Sequence, residues 1–197
     1  MPGSTARRAP GTSPGRNRNS GPMPPLALPI SEVLVVADCW QAEPDAEAVV
    51  QRAIAAAAET VDTDVGDAEL AVMLTDDAGI RTLNSNWRGI DKPTNVLSFP
   101  ALQPTGAGGP DDAPSMLGDI AIAYQTTRKQ ADDEQKPFDH HLSHLAVHGF
   151  LHLIGYDHEK DDDAEVMETL EQRILAQLGI PDPYADRDPD AGRERMD

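Results

Sequence analysis

The chain has 197 residues, 39% of them hydrophobic and 25% charged, with a formal net charge of −18. That length suits one domain with appendages, and the acidic balance argues against indiscriminate binding to nucleic acid, although a local basic cleft on an acidic protein can still take RNA. No apolar run approaches the roughly eighteen residues of a membrane-spanning helix, and the single cysteine, Cys39, cannot form an internal disulfide, which fits a reducing cytoplasm.

Residues 1–29 are rich in Pro, Gly, Ser and Arg, carry four arginines and no acid, and contain no apolar stretch of the kind found in secretory signals. They bury too little surface to offset the entropy of ordering and read as a disordered extension. Its role is either a weak RNA tether or none, with Met23 then the true start. The folded part begins near Ile30. ISEVLVVADCW reads as a buried strand, and DAEAVVQRAIAAAAET as a helix with Asp45 at its N-cap. AELAVMLTDD is a second strand. DAGIRTLNSNWRG carries Ile80, Leu83 and Trp87 at helical spacing and stops at Gly89. TNVLSFP is a third strand, the stretch from Gln103 to Ser115 a loop, and GDIAIAYQ a fourth strand.

Helical patterns then dominate. TTRKQADDEQ precedes Pro137, FDHHLSHLAVHGFLHLI forms a long helix, and DAEVMETLEQRILAQLG carries a stripe of Val166, Met167, Leu170, Ile174 and Leu178. Asp161 to Asp163 suit the start of that last helix. Strands and helices mix without strict alternation. The expected architecture is α+β: a single domain over residues 30–180, with one four-stranded mixed sheet, about five helices in a layer on it, and a metal site at the end of the long central helix. Residues 181–197 read as a flexible polar tail.

The metal site is read from HGFLHLIGYDH, His148 to His158. His148 and His152 are four apart on a helical pattern, so both imidazoles lie on one face. Gly155 can end the helix in a left-handed conformation and let His158 return. A lone histidine would be a satisfied core residue. Three at this spacing, around a glycine at the bend, point to a metal held by three neutral imidazoles with a water in the fourth place, one zinc ion per chain being the first choice and nickel, copper and iron the alternatives. His144, one turn before His148, is either a helper around the metal or a half-buried helix residue. Asp157 either holds a ligand imidazole or caps the turn, and Asp119 reads as a turn residue.

The same spacing occurs in metzincin peptidases, which carry a glutamate base after the first histidine. Here Gly149 stands in that place, and a glycine moves no proton. Met167, the methionine available for a turn beneath the metal, sits in a helical stripe. With two further stretches, the motif resembles the YbeY family of bacterial rRNA-maturation endoribonucleases. The family's H-G-x-L-H-L-x-G-Y-D-H is matched by His148 through His158. A second family segment is matched by Asn84, Arg88, Gly89, Asp91 and Pro93 through Pro100, and LGDI at Leu117 to Ile120 is a third match. Position 95 is Asn where many members have Asp, so it is assigned no acid–base role.

The resemblance implies a single-strand-specific, metal-dependent endoribonuclease. It would act in 16S rRNA 3′-end maturation and 70S ribosome quality control, with single-stranded rRNA as substrate and the small ribosomal subunit as partner, in the cytoplasm. It also implies a catalytic Arg88, whose guanidinium fork suits phosphate oxygens. Lys92 is a weaker RNA-binding candidate. A second class of function is a ribosome-associated assembly factor with structural zinc and no cleavage of its own. A metzincin-like peptidase is a distant third. Four protein ligands are usual for structural zinc, so three ligands favour the enzyme.

Overall fold

The computed structural model describes residues 28–63, 65–101, 116–158 and 160–185. The expectations placed on residues 1–27, on the loop to Ser115 and on the chain beyond Ala185 lie outside these described residues. In chain order the elements are β1 (Ile30–Val35), a short 3-10 helix (Asp38–Ala42), α1 (Ala46–Thr60), β2 (Glu69–Thr75), α2 (Asp77–Arg88), β3 (Val96–Pro100), β4 (Met116–Ala123), α3 (Tyr124–Asp133), α4 (Phe138–Leu153) and α5 (Asp161–Gln177). The strands form one mixed sheet in the order β1-β2-β4-β3, with β1, β2 and β4 parallel and β3 antiparallel to β4. The described residues form the α+β domain that was expected, with a four-stranded mixed sheet and five α-helices.

Alternation along β4 divides the core. Ile120 and Ile122 join the main cluster with residues of α1, α4 and α5, whereas Ala121 and Ala123 join Ile80 of α2 and Leu97 of β3. Helices therefore cover both faces, not one layer as the sequence suggested, because the alanines on the second face leave room for α2. That helix covers only the β4–β3 half. The stretch read as a buried strand is accordingly an edge: β1 pairs with β2 alone, and Ile30, Leu34 and Val35 stay exposed.

Two local features position the cleft. Helix α2 is capped by Asp76, whose Oδ1 accepts from Gly79 N at 2.8 Å, and it ends at Gly89 with φ of 70°, leaving Arg88 as its last residue. Helix α4 is buried around most of its circumference and packs tightly on the sheet at Gly149. A Cβ there would sit 3.0 Å from Ile120 Cγ2 and 3.2 Å from Ser98 Oγ, and Ser98 Oγ donates to the Gly149 carbonyl at 3.1 Å. A mid-helix glycine costs about 1 kcal/mol against alanine, and here it permits the contact that locks α4 to β3.

Gly149→Glu should therefore destabilise the fold by about 3 kcal/mol or more, since it both overpacks the helix–sheet contact and buries an unpaired carboxylate. Urea unfolding checks this, and a change under about 1 kcal/mol would mean that α4 can lift off the sheet freely.

Candidate metal centre

His148 and His152 project from the last turns of α4, and His158 comes back from the loop after it. The turn is built by Gly155, with φ of 96°. Gly155 N donates to His152 O at 3.2 Å and Tyr156 N to Leu151 O at 3.0 Å, the paired bonds of a Schellman end. One nitrogen of each of the three histidines lies within 4.8 Å of the others. His148 and His152 are half-buried and His158 is exposed, so the cluster is open to solvent on one side.

The ring orientations are set from behind. His148 Nδ1 lies 2.7 Å from Glu171 Oε1, and His152 Nδ1 lies 2.9 Å from the Tyr156 carbonyl. Both partners are acceptors, so each Nδ1 carries the proton and donates it. Each Nε2 is then left with a bare lone pair, and these two nitrogens face one another at 3.1 Å. With both rings neutral, no proton lies between them to relieve the repulsion, and a cation would. Two imidazoles each 2.0–2.1 Å from a tetrahedral ion stand about 3.3 Å apart, so the pair is spaced to share one. Burial, then the neighbouring His148 and His158, lowers the pKa of His152 and favours the neutral, ligating form. The three histidines can hold a metal ion.

Glu171 is the residue that sequence reasoning missed. It is 0% exposed and sits on the buried face of α5 with Met167, Ile174 and Leu175. Burial pushes its carboxyl up, but hydrogen bonds from His144 and His148 outweigh that and hold it at about 2. Tyr184 donates its hydroxyl to the same carboxylate, and Lys136 Nζ donates to the Pro183 carbonyl at 2.9 Å. The chain after Pro181 is thus tied back as far as Tyr184, where a loose tail was expected. The available signal was an acid at i+4 from Met167, in the middle of the apolar stripe.

Arg88 lines a cleft of about 760 Å³ together with the three histidines, Asn95 and Ser98. Lys92 is exposed and is not among the cleft-lining residues; it contributes its backbone carbonyl, which accepts from Asn84 Nδ2 at 2.8 Å. Asp157 accepts from His158 N at 2.7 Å, the turn-capping alternative, while the Tyr156 carbonyl holds the imidazole. His144 is half-buried on α4 and contacts the Glu171 carboxylate at 3.1 Å. Asp119 lies within β4 and is not a turn residue.

A family model described as Endoribonuclease YbeY matches residues 37–179. The chain is 81% identical over 160 residues to the Endoribonuclease YbeY of Bradyrhizobium diazoefficiens, covering 81% of this chain and 87% of that one. It is 70% identical over 188 residues to the protein of the same name from Nitrobacter winogradskyi, covering 94% of this chain and 97% of that one, a span that takes in part of the N-terminal arm. A solution structure, TM1509 from Thermotoga maritima, aligns at a TM-score of 0.48 and 23% identity over 81% of this chain and 98% of that one.

Glu171→Gln keeps the shape of the side chain and removes its charge. Metal affinity, measured by competition with a chromophoric chelator, should fall by about 10–100-fold. The acid limb of the metal-free protein should change too. A carboxyl depressed from 4.5 to about 2 contributes stability that is present above 4.5 and is lost as pH falls towards 2. Melting temperatures across that range should fall more steeply for the wild type than for Glu171→Gln, and parallel curves would contradict the assignment.

Proposed function

The chain belongs to the YbeY family, and from that premise we propose that it is a single-strand-specific, metal-dependent endoribonuclease acting in 16S rRNA 3′-end maturation and 70S ribosome quality control. Its partner in that work is the small ribosomal subunit, and its compartment is the cytoplasm. Among the described residues no helix is long and apolar enough to cross a membrane. The observation that carries the reading is the pair of Nε2 atoms of His148 and His152, 3.1 Å apart in a cleft that Arg88 also lines. The proposed metal is zinc, because three neutral imidazoles suit it.

A metal held by His148, His152 and His158 would supply an activated water and polarise a phosphoryl oxygen. The protein's own residues do the rest. Glu171 and the Tyr156 carbonyl keep both helical imidazoles turned to the cleft. Arg88 offers a planar fork of donors to the phosphate oxygens as charge builds on them. The peptidase reading gains nothing, because Gly149 is packed against Ile120 and Ser98 and provides no proton-transfer group. Three protein ligands, one on the solvent side, favour a reactive site over the structural zinc of an assembly factor.

Purified protein should cleave a single-stranded rRNA fragment, lose that activity with a chelator, regain it with zinc, and leave an unfolded protein substrate intact. Cleavage that survives full metal removal would count against the proposal. Arg88→Lys keeps the charge and loses the fork, so single-turnover cleavage should drop about tenfold or more with metal content and melting temperature unchanged. Wild-type rates in Arg88→Ala would remove Arg88 from the chemistry. We also propose that residues 30–180 carry the metal site and the activity; a chain beginning at Met23 should bind metal normally and melt within a few degrees of full length, and a large loss of stability would show that the arm packs on the core.

A further inference from the structure

A second cavity, of about 450 Å³, adjoins the metal cleft: Asn95, Val96 and His148 line both. Its polar wall is oriented by one chain of hydrogen bonds. Val96 N donates to Asn95 Oδ1 at 2.7 Å, so the amide nitrogen of Asn95 is the end that meets Gln130, donating to its Oε1 at 3.0 Å. His141 Nε2 lies 3.1 Å from that same oxygen and donates to it. Two donors thus fix the amide of Gln130, and its NH2 group has no protein partner among the described residues.

The cavity is polar without being cationic. Lys136 is already engaged, at 2.7 Å from the Glu134 carboxylate and 2.9 Å from the Pro183 carbonyl. His141 is driven down to about 4 by burial, so it is neutral near pH 7. Phosphate would find no spare positive charge here. A planar, neutral group with acceptors along its edge would find an oriented amide donor in a cavity also lined by the aromatic rings of His144 and Tyr184, which meet edge to face at 5.5 Å. Single-stranded RNA presents such a group next to every phosphate, and proteins that read it take unstacked bases into pockets of this kind.

We propose that this cavity seats an unpaired nucleobase of the RNA strand whose phosphate occupies the adjoining histidine cleft, with Gln130 Nε2 donating to an acceptor on the base edge. The assignment rests on the endoribonuclease reading. It would make Gln130 a binding residue with no part in the chemistry.

The test uses the full-length, metal-loaded protein and a single-stranded RNA whose cleavage position has been mapped. Abasic nucleotides are placed one at a time on either side of that position. The readout is the enzyme concentration giving half-maximal single-turnover cleavage. For the wild type, one abasic position should raise it about tenfold, the worth of one lost oriented contact together with base burial, while the others change it little. Gln130→Glu retains an oxygen to accept from Asn95 and His141 and replaces only the outward donor with an acceptor. In that variant the intact strand should weaken about tenfold and the sensitive position should lose most of its effect, with metal content and melting temperature unchanged. Equal responses at every abasic position in the wild type would overturn the proposal whether or not the variant folds. So would a variant that weakens intact and abasic strands alike, since that is charge repulsion only. A wild type that cleaves no intact strand at all would overturn the endoribonuclease reading and this assignment with it.

Discussion

Two imidazole lone pairs held 3.1 Å apart are the constraint on which the site depends. Left to themselves, His148 and His152 would exchange tautomers and turn away from each other. They are prevented by acceptors on two different elements: the Glu171 carboxylate on α5 and the Tyr156 carbonyl beyond α4. The repulsion this creates is what a cation relieves, so part of the fold's stability is lent to the metal site. Glu171 bears most of the cost. A buried carboxylate is expensive unless every lone pair is engaged, and His144, His148 and Tyr184 supply the donors.

The arrangement needs α4 to be immobile. Its rigidity comes from below, where Gly149 lets the helix backbone approach Ile120 and Ser98, and from above, where α1 and α5 pack on its apolar residues. The residue that would be a catalytic glutamate in a peptidase is thus spent on packing. The cleft that results is lined by Arg88 at the end of α2, and through Asn95 it adjoins the cavity walled by the Asn95–Gln130–His141 chain. The cleft offers the Arg88 charge and the cavity a neutral donor, an asymmetry suited to a strand made of charged phosphates and uncharged bases.

Much of this was legible in the chain. Histidines four apart on an apolar helix must share a face, and a glycine three residues on supplies the one conformation that brings a third histidine back. Gly89 likewise marked the end of α2 and so put Arg88 at a helix terminus. The strand and helix order followed from the change of period along the chain. What failed was burial. ISEVLVVADCW is apolar enough for a central strand, yet apolar residues in a short run do not say how many neighbours the strand will have, and β1 has one. The missed acid failed for the converse reason: Glu171 looks like a solvated helix residue until its partners on another helix are known.

The sequence by itself determined the local geometry, because helical period, caps and turn glycines depend only on neighbouring residues: two imidazoles on one face, the bend after them, the arginine at a helix end, and the absence of a glutamate base. Only the tertiary structure decided which nitrogen of His148 and of His152 faces the cleft, that Glu171 and Tyr184 stand behind them, and that Asn95, Gln130 and His141 form one hydrogen-bonded wall beside the site. Those facts join residues as far as 40 positions apart. They exist only once the fold has brought α3, α4, α5 and the stretch after α5 together, because a hydrogen bond is decided by where its partner lies in space and not by spacing along the chain.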